Sequence, residues 1–399
     1  MSASALHDVC TCCGSGRFET LMRQRDMPVS GVFRTSAVEP QPRADLEYVI
    51  CLRCGLVRQA SLEQRHSYAA VSRSTARQLP RYAADLVDAI RARGVSPSGL
   101  ICEIGANDGA FLAALRSGGF GNLLGIEPSE ALCAAAEARG LRMEKAYFTR
   151  ALAQRIAAEF GPPAAIVCRH TLEHVPEPLE FLATARVCFA SSGGGVLLIE
   201  VPDGTAIPEL MNAYELWDEH LYCFAQENLR LLLRKAGFDP LSISALPHLD
   251  TRNIVAWCRP GAAPAEPDGA LAQGVIDSWL RFKGRWPEYR HVLAAAIRGA
   301  PKPVHFIGAS HVQSNLANCL DVGAEVAAMI DDDPSKLGKL PPVKDGAPAI
   351  ISSPHFMATV SEGTLVLSGF GYPQWTSRLS EHARRKGMTL IDPKAYLPA

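Results

Sequence analysis

Two Cys-x-x-Cys pairs stand near the amino terminus, Cys10-Thr-Cys-Cys13 and Cys51-Leu-Arg-Cys54, and a glycine follows each (Gly14 and Gly55). Such a knuckle turns tightly enough for backbone N–H groups to face thiolate sulfurs. Two knuckles supply four thiolates, the complete tetrahedral shell of a structural Zn2+ ion. A closed shell keeps no open position, so Cys10, Cys13, Cys51 and Cys54 are expected to hold metal for stability and not for catalysis. Cys12 competes with Cys10 or Cys13 for that role. The opening MSASALHDVC has neither the basic nor the apolar region of a secretory leader, which predicts a cytoplasmic protein with reduced thiols.

A second pattern runs from Leu100 to Leu112. An apolar strand ends at Glu103, and Gly105-Ala-Asn107-Asp108-Gly109 leads into an apolar helix start. Gly105 and Gly109 let backbone approach a ligand closely. The spacing is not Gly-x-Gly-x-x-Gly, and a pyrophosphate needs an unobstructed helix N-terminus. An acid at the strand end and Asp108 in the turn suit a cationic sulfonium ligand better. The next strand, in Leu124-Gly-Ile-Glu-Pro-Ser129, ends in an acid 22 residues after Gly105. Glu127 there can accept both hydroxyls of a ribose. Two further strands follow, in Ala165-Ile-Val-Cys-Arg-His-Thr-Leu-Glu-His174 and Gly195-Val-Leu-Leu-Ile-Glu-Val-Pro202. Their ligand-facing residues belong at the carboxyl ends, where His170 and His174 stand.

In this order the motifs resemble those of the class I S-adenosylmethionine (SAM)-dependent methyltransferases, over about residues 98–202. The resemblance implies a SAM site made by Glu103, Gly105, Asn107, Asp108, Gly109, Glu127 and Pro128. It places Tyr147 and Phe148 beside the adenine and His170 at the end of the fourth strand. Ser72 and Ser74 would close over the methionine end.

The whole layout resembles, more narrowly, the deoxysugar C-methyltransferases, with a zinc domain, a SAM domain and a Rossmann-like domain in that order. The carrying residues are the four knuckle cysteines, Glu103–Gly109, Gly125–Ser129 and Glu219-His220-Leu-x-x-Phe224. Farther on they are Phe306-Ile-Gly-Ala-Ser310 and Ile330-Asp-Asp-Asp-Pro-Ser-Lys-x-Gly338. This resemblance implies that a nucleotide-linked keto-sugar loses a proton beside its ketone and that the enolate takes the SAM methyl, in secondary-metabolite or surface-sugar biosynthesis. That chemistry needs a base within hydrogen-bond reach of the proton. His220 beside Glu219 is the first candidate, with Glu219 itself and His174 next. The family run Tyr-His-Glu-His reads Trp217-Asp-Glu-His220 here, and an indole N–H cannot replace a hydroxyl that both donates and accepts. Tyr222 is the candidate replacement. The family's Gly-Gly-Ser-x-Arg is absent, and its Lys-Gly after the carboxy-terminal glycine turn gives way to His311-Val-Gln-Ser-Asn315. These departures keep O- or N-methylation of another small molecule as the alternative.

These residues need an α/β scaffold to hold them. Alternating strand and helix signals predict a Rossmann-like class I methyltransferase domain over residues 76–258, flanked by a small zinc ribbon over 1–75 and a carboxy-terminal α/β Rossmann-like domain over 301–399. Residues 259–300 read as a linker and helical segment, opened by the Pro/Ala-rich PGAAPAEPD. The apolar share of 48% supports large cores, and a net charge of −1 without basic runs argues against a nucleic-acid partner. No run reaches the ~18–20 apolar residues of a membrane span. The expected partner is a small-molecule substrate, a nucleotide-linked sugar among the candidates, taken by a monomer or homodimer.

Overall fold

The computed structural model describes residues 9–62, 80–189, 194–249, 251–261, 269–367 and 373–398. Ser72 and Ser74 lie outside them. Strands β1 (Phe18–Pro28), β2 (Arg43–Cys51) and β3 (Val57–Gln59) form an antiparallel sheet. Its fourth member is β9 (Tyr222–Cys223), which comes from the far side of the next domain in sequence. Cysteine-bearing turns cap this sheet.

The central sheet has seven strands. Five are parallel: β4 (Ile101–Ile104), β5 (Leu123–Ile126), β6 (Met143–Glu144), β7 (Ala165–Arg169) and β8 (Val196–Pro202). The hairpin of β10 (Phe238–His248) and β11 (Thr251–Pro260) extends it antiparallel to β8. The parallel strands are short, apolar and buried on both faces, as helix-covered strands must be. Their side chains alternate. Ile101, Val167 and Leu198 pack under helices Pro80–Ala92 and Ala110–Ser117, whereas Cys102, Cys168 and Ile199 pack under Arg150–Phe160, Pro178–Cys188 and Gln226–Lys235.

The carboxy-terminal sheet has five parallel strands: β12 (Val304–Ile307), β13 (Val326–Ile330), β14 (Ala349–Ile351), β15 (Thr364–Val366) and β16 (Thr389–Ile391). Its order, β14-β13-β12-β15-β16, repeats that of β6-β5-β4-β7-β8. Both are doubly wound sheets, and each places its ligand crevice at the carboxyl ends where the strand order reverses. No helix among the described residues is long and apolar enough to cross a membrane.

Helix Gly269–Arg298 does more than link. Trp279, Phe282, Trp286, Tyr289 and Leu293 recur at spacings of three and four, a single helical stripe. That stripe shares one core with Leu46, Tyr48 and Ile50 of the first sheet and Val304 and Phe306 of the last. The helix therefore fastens the first sheet to the last. Trp279→Ala would remove a fully buried indole from this core. Chemical denaturation should report a loss of about 3–5 kcal/mol.

Candidate functional site

One cavity of about 1250 Å3 opens where the carboxyl ends of both doubly wound sheets meet. A pocket for one ligand holds roughly 300–1,000 Å3, so this one has room for a cofactor and an acceptor together. On the side of β4 and β5 it is lined by Gly105, Asn107, Glu127, Pro128, Tyr147, Phe148 and His170. Glu127 ties this wall together. Its Oε2 accepts the Asn107 N–H at 3.0 Å and its Oε1 accepts the Ser129 N–H at 2.9 Å. Each oxygen keeps a second lone pair for a hydroxyl donor. Gly105 is left-handed with φ 72°, and a Cβ there would lie 2.2 Å from Thr171 Oγ1. Only glycine fits that contact.

Three residues expected at the cofactor do not line the cavity. Glu103 is buried within the sheet, and burial pushes its carboxyl up to about 8 despite nearby Arg169. Asp108 turns to the helix start, where its Oδ1 accepts the Ala110 N–H at 3.2 Å and its Oδ2 lies 3.6 Å from Arg139. Gly109 serves packing, because a Cβ would lie 2.5 Å from Leu141 Cδ1.

Opposite the cofactor wall lies the run Trp217–His220, with Trp217, Glu219 and His220 lining the cavity. The antiparallel sheet holds this run by its backbone. Tyr48 Oη lies 2.7 Å from the carbonyls of both Trp217 and His220. Gln59 Nε2 reaches the carbonyls of Trp217, Asp218 and His220 at 3.1, 3.0 and 3.1 Å. Leu221 N–H donates to the Glu173 carbonyl at 2.9 Å. That bond sets the run against the turn Leu172–His174, which follows β7. His174 Nδ1 lies 2.7 Å from the Glu219 carbonyl, and the His174 and His220 rings are 5.0 Å apart. Tyr222 is the exception among the expected catalytic residues. It is buried in β9, outside the cavity lining, and its hydroxyl donates to the Pro176 carbonyl at 2.9 Å.

Burial dominates the electrostatics here. It lowers His174 to about 4 and holds His220 well below the ordinary imidazole range, so both rings are neutral at pH 7. Burial raises Glu173 to about 7 and Glu215 to about 8, and both line the cavity. Glu200, at the end of β8, behaves oppositely. Burial alone would raise it, but Arg169, then His170 and the Tyr82 hydroxyl, hold it well below the ordinary carboxylate range. Its oxygens accept from Arg169 Nε at 2.5 Å, Tyr82 Oη at 2.6 Å and Asn253 Nδ2 at 2.6 Å. Asn253 Nδ2 also lies 3.2 Å from His170 Nε2. This network anchors His170, whose backbone is left-handed at φ 48°.

The carboxy-terminal sheet closes the cavity with Gly308–Gln313, Asp331–Asp333, Lys336, Trp375 and Arg378. His311 stacks on Trp217, rings 3.9 Å apart and 10° from parallel. Two of the three departures from the deoxysugar pattern therefore touch each other. The helix start after Gly308 is filled from within. Gln313 Oε1 accepts from Ser310 N at 3.0 Å, Ser310 Oγ accepts from Val312 N at 3.2 Å, and Lys336 Nζ donates to the Ala309 carbonyl at 2.7 Å.

The four expected zinc ligands come together. The sulfurs of Cys10, Cys13, Cys51 and Cys54 lie within 4.8 Å of one another, with Cys10–Cys54 and Cys13–Cys51 both at 3.5 Å. Cys12 is not one of this set, and its thiol lies 3.5 Å from the Asn228 carbonyl. The donor set fits tetrahedral Zn2+.

Sequence reasoning missed Tyr48, Gln59, Glu173 and the Glu200 network. An acid inside the apolar run Leu-Leu-Ile-Glu200-Val was the one available signal. Gln59→Leu takes away the donor to the buried Asp218 carbonyl and leaves Tyr48 to serve Trp217 and His220 alone, at a cost of about 1–3 kcal/mol. Steady-state kinetics should show kcat falling about tenfold or more as the run shifts, with KM for SAM unchanged.

A methyltransferase-domain family profile matches residues 75–243. The curated C-methyltransferase NovU of Streptomyces niveus is 26% identical over 235 residues, which cover 57% of this chain and 54% of the relative. The chain thus spans about half the length of that relative. Similar solved structures include the SAM-bound magnesium protoporphyrin IX methyltransferase of Synechocystis PCC 6803, 15% identical, covering 49% of this chain and 88% of its own, with TM-score 0.34. Another is a SAM-dependent methyltransferase of Thermotoga maritima, 21% identical, covering 46% and 92%, with TM-score 0.34. Residues 75–243 of this chain thus match a methyltransferase domain, over the stretch that builds the doubly wound sheet β4–β8.

Proposed function

We propose that the chain transfers the SAM methyl group to a carbon of a nucleotide-linked or otherwise activated keto-sugar. One observation carries this reading: the Glu219–His220 pair faces the Glu127 wall across a cavity large enough for two ligands. Gly105, Asn107 and Glu127 would hold the adenosyl group, with Tyr147 and Phe148 beside the adenine. Glu219 and His220 are the two groups placed to take a proton from the carbon beside the ketone. The C–H electron pair moves to form the enolate. The enolate carbon then attacks the methyl, the C–S bond breaks, and the thioether leaves neutral, so no leaving-group acid is required. Alignment of carbon, methyl and sulfur supplies much of the rate. We also propose that Cys10, Cys13, Cys51 and Cys54 bind Zn2+, whose role is to hold the sheet that carries Tyr48 and Gln59.

O- or N-methylation of a different acceptor is the second reading. It rests on the Trp217–His311 stack, which puts flat neutral rings where the resembling family has a tyrosine and a lysine.

The test uses labelled SAM with a panel of nucleotide-linked keto-sugars, and NMR of the product. The expected result is a new carbon-bound methyl, with solvent deuterium entering the same carbon when SAM is withheld. His220→Gln should lower kcat by at least about 100-fold. A methyl found on oxygen or nitrogen contradicts the first reading and supports the second.

A further inference from the structure

We propose that Glu173, His174 and His220 bind one divalent transition-metal ion inside the cavity, at a site separate from the cysteine cluster. The ligand atoms of the three side chains lie within 4.8 Å of one another. Glu173 is 1% exposed, and neither of its carboxylate oxygens has a hydrogen-bond partner. The ring nitrogens His170 Nδ1 and His174 Nε2 are 3.8 and 3.9 Å from its Oε1, beyond hydrogen-bond reach. A carboxylate taken out of water without donors is costly, and a cation held between it and two imidazoles removes that cost.

The His174 imidazole is already oriented as a metal ligand. A ligating histidine characteristically gives its other ring N–H to a carbonyl, which fixes the tautomer and aims the free lone pair. His174 Nδ1 stands 2.7 Å from the Glu219 carbonyl, so as the donor it leaves Nε2 turned to Glu173. The Leu221–Glu173 backbone bond holds the two segments at this separation. Two imidazoles and one carboxylate on a single side form a set that suits Zn2+, Fe2+, Mn2+ or Co2+ and leaves coordination positions open. All three residues line the cavity, so those positions face the acceptor.

The role of the ion rests on the reading given under Proposed function. It binds the carbonyl oxygen of the acceptor and stabilises the negative charge that gathers there as the proton leaves. His220 is then a ligand, and Glu219 is the group that takes the proton.

The full zinc-loaded chain should be titrated with Co2+, following cobalt uptake by elemental analysis and visible absorption. A thiolate-to-cobalt band would report any exchange at the cysteine cluster. The wild type should bind one cobalt without that band. Glu173→Gln and His220→Gln should each weaken this binding at least about tenfold, with zinc content and circular dichroism unchanged. No cobalt bound outside the cysteine cluster, or equal binding by wild type and Glu173→Gln, would overturn the site. Cobalt binding as expected in a chain that transfers no methyl would support the site and count against the methyltransferase reading alone.

Discussion

Three buried carbonyls within four residues dictate how this protein is put together. Trp217, Asp218 and His220 turn their C=O groups away from the cavity, and a buried backbone acceptor must find a donor. Tyr48 and Gln59 supply the donors, and both stand on strands of the cysteine-capped sheet. Strand β9 follows directly and pairs with β3, so the run cannot move without disturbing that sheet. A small amino-terminal sheet therefore sets the position of Trp217, Glu219 and His220 in the cavity wall. Its four-cysteine cluster lies outside the cavity lining, so it can bear on the cavity only through the sheet it caps.

The two doubly wound sheets share a strand order but make different use of the same place. At the end of β5, Glu127 accepts N–H groups from Asn107 and Ser129 and still borders open space. At the matching end of β13, Asp331 accepts the Ala309 N–H at 3.2 Å and Lys336 Nζ at 3.0 Å. Lys336 also takes the Ala309 carbonyl, so the second cradle is occupied by the chain itself. One sheet keeps a nucleoside-shaped crevice, and the other becomes a wall. Through the His311–Trp217 stack that wall meets the Trp217–His220 run, at two positions that both depart from the deoxysugar pattern.

How much of this could be read from sequence follows from the range of the forces involved. The glycine loop, Glu127 and the cysteine knuckles are local patterns, since each residue type is demanded by its immediate neighbours. The parallel strands were legible because short apolar runs bounded by turns have few other solutions. Tyr48 and Gln59 were not legible. They act on residues more than 150 positions away in the chain, through backbone atoms that have no residue-type signature. Tyr222 misled for the same reason: proximity to His220 in sequence says nothing about the pairing of β9, which turns its hydroxyl to Pro176. The helix at His311 opens on a capping box of Ser310 and Gln313, a local pattern of polar residues ahead of the apolar stretch. Asp108 was assigned to the ligand from its place in the loop, whereas the helix N-terminus beside it offered a nearer donor.

Hydrogen exchange measured before and after zinc removal tests the central claim most directly. The account predicts that chelation speeds exchange of the His220 and Leu221 amides, which are bonded to the Trp217 and Glu173 carbonyls, while the Gly105–Gly109 loop keeps its protection. Unchanged protection of those two amides in a metal-free chain would contradict it.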